Sequence, residues 1–168
     1  LKREIPLDMA EFFMWTPLPG SADHQKYYRE GVPMARDMNL YDTCHPCMEH
    51  PKMSSEELAR AYRDAWRSFY SKDHVRTLLK RRKGPRRRIL MAATVWFRST
   101  YFLEGIHPLL GGFFRLKGRK NRRPGFPREA FIPYYLRRLK ENLVYTLGMI
   151  QLLLETWLLV REASRPEN

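Results

Sequence analysis

Cysteine is scarce in this chain, two residues in 168. That excludes a disulfide-stapled scaffold and suits a reducing cytoplasm. No basic-plus-apolar segment precedes a small-residue cleavage site, so no secretory signal is read. The first residue is Leu1 and not methionine, which agrees with the expectation of a fragment. No glycine-rich loop opens a helix to cradle phosphate, and Gly111-Gly112 lacks that pattern. No Ser/His/Asp or Cys/His arrangement has supporting context, and no pair of acids stands on a cleft-lining element. On its own residues the chain carries no complete catalytic apparatus. No repeat of fixed period is found. Acidic residues are short in supply, 18 against 31 lysines and arginines for a net charge of +13, and the deficit is lopsided. Residues 1–57 carry 6 basic and 10 acidic side chains, net −4, and residues 58–168 carry 25 and 8, net +17. A basic half on that scale implies a polyanionic neighbour: nucleic acid, an anionic membrane surface or an acidic partner domain.

What is present begins with Phe12-Phe13-Met14-Trp15, a continuous apolar run that enters a turn made by Pro17, Pro19 and Gly20. This is the pattern of a short buried strand delivering its end to a loop, and it suits a strand covered on both faces, as in a parallel sheet or barrel. Nothing after it supplies the other strands. Residues 21–53 are polar and turn-rich, with a short helix expected around Lys26–Glu30, and read as a connection lying on a neighbour. Ser54 and Glu57 form a capping-box pair. Behind them Leu58, Ala61, Tyr62, Ala65, Trp66, Phe69 and Tyr70 recur at helical spacing, with Arg60, Arg63, Asp64 and Arg67 opposite. Asp73 is expected to cap a shorter helix carrying Val75, Leu78 and Leu79. An apolar stretch from Ile89 to Phe102 follows, and a last helix is expected from Pro133 to Ala163. Its polar residues Glu141, Gly148, Gln151, Glu155 and Glu162 lie along one narrow stripe of a Leu-rich surface.

Two sets of side chains invite a chemical reading. Cys44-His45-Pro46-Cys47 places two thiols at a spacing that can bite one zinc ion, with His50 or His24 to extend the set. The bland reading is two loop thiols, since no second cysteine pair exists. The basic segments are Lys80, Arg81, Arg82, Lys83, Arg86, Arg87 and Arg88, then a second run that includes Arg119, Lys120, Arg122 and Arg123. Phe113, Phe114 and Phe126 lie near the second run, and aromatics beside a cationic groove are how single strands are held. A membrane reading competes. Leu143 to Val160 is 18 residues with Glu155 as the only formal charge. Gln151 and Glu155 stand near the middle, and an acid there costs roughly 2.5–3.5 kcal/mol on insertion scales, so a helix at the interface, or one buried under its neighbours, fits better than a span. The third reading is charge that is solvated or neutralised within the protein.

The run Ala10-Glu11-Phe12-Phe13-Met14-Trp15-Thr16-Pro17-Leu18-Pro19-Gly20-Ser21 resembles the Thr-Pro-x-Pro-Gly segment late in the barrel of radical S-adenosylmethionine proteins that carry a cobalamin-binding N-terminal domain. The resemblance continues through Asp23-His24-Gln25, Gly31-Val32, Asp37-Met38-Asn39, Tyr41-Asp42 and His50-Pro51-Lys52-Met53-Ser54. It extends to Trp96-Phe97, Glu104-Gly105-Ile106-His107-Pro108, Gly111-Gly112-Phe113 and Arg119-Lys120-Asn121-Arg122-Arg123-Pro124-Gly125. The resemblance implies a parent enzyme in which a [4Fe-4S] cluster cleaves S-adenosylmethionine reductively to a deoxyadenosyl radical, a reaction that in this family is often coupled to cobalamin-dependent methyl transfer. The family's cluster loop, Cys-x3-Cys-x2-Cys, has no counterpart here: there is no third cysteine, and Cys44-x2-Cys47 follows the barrel element instead of preceding it. The expected architecture is mainly α: residues 1–20 as the last strand and exit loop of a partial (β/α) barrel, 21–53 as a connecting segment, and 54–168 as a basic helical region. The missing barrel and cobalamin-type domain are the implied partners. Thr16, Pro17, Pro19 and Gly20 would shape the barrel mouth, and the chain would be inert alone. The setting is cytoplasmic, with a peripheral place at the inner face of the membrane as the second option. Rival classes are a membrane-docking module and a nucleic-acid-binding module.

Overall fold

The computed structural model describes residues 7–109, 111, 118–120, 125 and 127–164. Among them the chain is mainly helical: α1 (Ala22–Arg29), a 3-10 turn (Met38–Leu40), α2 (Ser55–Phe69), α3 (Lys72–Arg81), α4 (Gly84–Arg98), a π-helical stretch (Ser99–Glu104) and α5 (Phe131–Ala163). The described residues contain no strand. Their β-type pairing is two isolated bridges, Met34 with Met48 and His50 with Met53. Two compact units divide between Arg82 and Lys83, inside the first basic run and within the region expected to be one helical domain from residue 54 onward.

In the first unit, Ser54 and Glu57 close the capping box, Ser54 N donating to Glu57 Oε2 at 2.8 Å and Glu57 N to Ser54 Oγ at 3.2 Å. Two of the four donors left open at a helix start are thereby satisfied. The apolar face of α2 then buries Tyr62, Trp66 and Phe69. Phe12 meets the rings of Trp66 and Phe69 edge-on, with centroids 5.4 and 6.1 Å away. Tyr70 stacks on Trp66 at 5.5 Å and donates its hydroxyl to Ala10 O at 2.8 Å. These links tie residues 10–12 to α2, so the first helix after residue 53 belongs with the segment before it. Fully burying each of these large side chains contributes about 1.5–3 kcal/mol.

Helix α3 begins at Lys72 with Ser71 at its N-cap, two residues before the expected Asp73. Asp73 sits in the first turn and accepts from Arg76 Nη1 at 2.8 Å. An acid there still complements the helix dipole. Val75, Leu78 and Leu79 are wholly buried, as their spacing predicts. Arg82, just past α3, donates through Nε to both oxygens of Asp8, at 3.1 and 2.9 Å.

In the second unit, Gly84-Pro85 opens α4 instead of breaking the basic run, because proline is tolerated in a first turn whose N–H groups have no helical acceptor. At the other end Ser99 and Thr100 both donate to Trp96 O at 2.9 Å. Hydroxyls that bond back to the preceding turn compete with backbone donors, and the helix widens to its π form here. Gly105, at φ 70°, stops it. The 33-residue α5 is about 50 Å long at 1.5 Å per residue. It runs antiparallel to α4: Arg87 donates to Ser164 Oγ, Arg98 pairs with Glu155, and a Cβ on Gly148 would come within 2.8 Å of Leu103.

Candidate functional site

Residues 12–16 alternate in exposure, and Pro17 breaks the alternation. Phe12 and Thr16 are half-buried, and Met14 and Pro17 are buried. Phe13, Trp15 and Leu18 are 50%, 64% and 51% exposed. Side chains that alternate from face to face mark a strand-like segment packed on one side. It was expected to be covered on both faces; the described residues cover one. Its backbone is held by Met14 N donating to Thr43 O at 2.8 Å. Thr16 Oγ1 returns to Met14 O at 3.1 Å. Gly20, at φ +90°, makes the left-handed turn that a side chain would strain, and Ser21 behind it caps α1 by accepting from His24 N. Thr16, Pro17, Pro19 and Gly20 therefore form one ordered bend.

Cys47 lies under that bend. It is 2% exposed, and its thiol approaches Trp15 O at 3.9 Å. Burial pushes the thiol above its ordinary range, against a lowering contribution from the Thr16 hydrogen bond. Cys44, half-buried, accepts from the Tyr62 hydroxyl at 3.5 Å. His50 accepts from Lys52 N at 3.2 Å, and His45 engages Asp42. Among the described residues no group of three or more His, Cys, Asp or Glu is placed to hold a metal ion, so Cys44, Cys47 and His50 are not gathered into one site. Nor do the residues present fit a [4Fe-4S] cluster held by a Cys-x3-Cys-x2-Cys loop. It needs three thiolates, and the two available here are engaged with Trp15 and Tyr62.

The basic residues are dispersed. Lys80 and Arg81 end α3, where cations suit the dipole, Arg82 is paired to Asp8, and Lys83, Arg86, Arg87 and Arg88 surround the start of α4. Arg119 donates to Glu129 O at 3.0 Å and lies over the Phe131 ring at 5.6 Å. Lys120 is exposed. Arg122, Arg123, Phe113, Phe114 and Phe126 lie outside the described residues.

What periodicity did not reveal is how α5 is turned. Glu155 points to α4 and pairs with Arg98, a side chain 8% exposed. Leu152, Thr156, Leu159 and Ala163 are buried beside it. Gly148 and Glu155 of the polar stripe turn toward this covered side, Glu141 pairs with Arg137 and Arg138 of its own helix, and Gln151 and Glu162 stay exposed. The Leu-rich remainder faces outward. The clue was Arg98, the one charge between Ile89 and Leu103, since a lone cation in an apolar stretch calls for an acid opposite. Among the described residues one helix, Phe131–Ala163, is long and apolar enough to cross a membrane, and 17% of its most apolar window is buried.

No protein-family model, no curated protein and no solved structure matches this chain.

Proposed function

We propose that this chain is the C-terminal portion of a radical S-adenosylmethionine enzyme of the cobalamin-domain type, without turnover of its own. The observation that carries the reading is the one-sided packing of residues 12–18, which leaves Phe13, Trp15 and Leu18 exposed beside an ordered Thr-Pro-Leu-Pro-Gly bend. An exposed face of that kind suits a last barrel strand whose neighbours belong to another part of the protein. The bend would then stand at the barrel mouth, because loops at the C-terminal ends of barrel strands line the active site. The helices that follow would cover the mouth or position a large substrate. The cluster, S-adenosylmethionine and cobalamin belong to the partner portion, and no radical step is assigned to a residue of this chain.

The test compares the chain alone with the chain joined to a barrel and cobalamin-type domain. With S-adenosylmethionine and a reductant the chain alone is expected to give no deoxyadenosine, and the joined protein to give it. Phe13→Asp with Trp15→Asp should weaken association with the barrel portion and lower that yield. Turnover by the chain alone, or full association in the double variant, overturns the proposal.

A further inference from the structure

Helix α5 is built inside out for a protein in water. Its covered strip holds Gly148, Glu155 and Thr156 among small and apolar residues, and the elements packed against it contribute Thr94, Arg98 and Ser99, each at most 8% exposed. Leu143, Val144, Leu147, Leu154, Trp157 and Leu158 are 47% to 66% exposed. With Ile150 and Leu153 they wrap roughly half of the helix circumference at 3.6 residues per turn. In water the hydrophobic effect drives the opposite arrangement. In a bilayer, lipid tails are as apolar as leucine, so helices pair through small residues and polar groups, and an ionisable side chain turns to the partner helix and is paired there. The Arg98–Glu155 pair meets that last condition and removes the objection that Glu155 raises to burial in lipid, which leaves Thr146 and Gln151 as uncharged polar side chains on the exposed arc.

The charges fit the same solvent. Residues 143–160 make an apolar band about 27 Å long, close to the roughly 30 Å of a hydrocarbon core. At one end Arg161 lies over the Trp157 ring at 5.6 Å. There the Arg87–Ser164 hydrogen bond brings in the start of α4 with Lys83, Arg86 and Arg88. At the other end stand Arg137, Arg138 and Lys140. Tryptophan and cations bordering an apolar band are what a bilayer interface selects. The first five residues of α4 hold three arginines and no acid, and the positive end of a helix dipole adds to their attraction for anions. A flat protein partner would cover one side of α5, whereas lipid covers the whole exposed arc.

We infer that the outer face of α5 beds in an anionic lipid bilayer, with the basic side chains at its ends reaching the headgroups. The inference does not rest on the radical-enzyme reading, and its failure would leave that reading standing.

The full 168-residue chain is floated with vesicles of phosphatidylcholine alone and of phosphatidylcholine with phosphatidylglycerol, at low and high salt. It should float with both, more with the anionic vesicles at low salt, and remain bound at high salt. Bromine-labelled acyl chains should quench its tryptophan emission, less so in Trp157→Phe. Leu147→Lys with Leu154→Lys places two charges on the exposed face without disturbing the covered one. Helicity by circular dichroism should be unchanged while flotation falls by at least about tenfold. Three results overturn the inference: no flotation with either composition, flotation that needs anionic lipid and vanishes at high salt, or equal flotation of the double variant. A discrete soluble dimer broken by that variant, without flotation, assigns the face to a second copy and overturns it too.

Discussion

Cys44 and Cys47 show how two identical side chains part company three positions apart. Cys44 is half-buried and Cys47 lies beneath the Thr16–Gly20 bend. A thiol reagent is therefore expected to modify Cys44 rapidly and Cys47 slowly, with the second rate following opening of the fold; equal rates measured with a chromogenic disulfide would contradict this placement. Burial also sets a sign. The Cys47 pKa is raised from its ordinary 9.0, so the folded state holds this proton more tightly than the unfolded state. The associated stability is whole below the ordinary thiol range and is lost as pH rises through the raised value. Tyr41 and Tyr70 are raised in the same direction, each mainly by burial, and extend the loss further into alkali. Denaturant midpoints followed from neutral to strongly alkaline pH should fall, and the earliest part of the fall should be smaller in Cys47→Ala.

Individual elements were legible to different depths. The Ser54–Glu57 box predicted the start of α2 to the residue, and the apolar face behind it predicted the buried Tyr62, Trp66 and Phe69, because both signals are local. The cap of α3 moved from Asp73 to Ser71, since an acid in the first turn serves the dipole nearly as well as a cap serves the backbone. Extent was also right for α5, within two residues at its start, while its orientation was left open. A Leu-rich helix with a narrow polar stripe does not reveal by itself whether the stripe meets water or another helix, and the pairing of Glu155 with Arg98 decided it. That pair carries a prediction. Glu155→Leu should leave Arg98 buried without its acid and destabilise the helix pair by about 3–5 kcal/mol, while Arg98→Met combined with Glu155→Leu should recover most of the loss. Urea denaturation followed by helical ellipticity reads both, and a double variant as unstable as the single one would contradict the pairing.

Across the whole molecule, charge and units no longer divide where the composition shift suggested. The unit ending at Arg82 carries 14 basic and 12 acidic residues, and the one beginning at Lys83 carries 17 and 6. The excess thus concentrates in the unit that holds α4 and α5, whose sequestered acid, Glu155, is already matched by Arg98. Like-charge repulsion on that scale opposes compaction and is screened by salt. In thermal scans without lipid, raising salt should raise the midpoint of this second unit, sulfate doing so more than chloride. A salt-insensitive midpoint would mean that the excess charge is balanced within the fold.

Local chemistry sufficed to place α2, α3 and α5, the Ser54 cap, the bend at Thr16–Gly20 and the basic excess, because capping, periodicity and turn formation depend on residues a few positions apart; the start of α4 and the Ser71 cap of α3 were not read from it. It also settled that two cysteines are too few for a three-thiolate cluster. Tertiary structure alone decided that residues 12–18 are covered on one face, that Cys47 is packed away, and that the Leu-rich side of α5 faces outward. Those outcomes depend on which distant surface removes each side chain from water, and that competition is settled only when the elements meet.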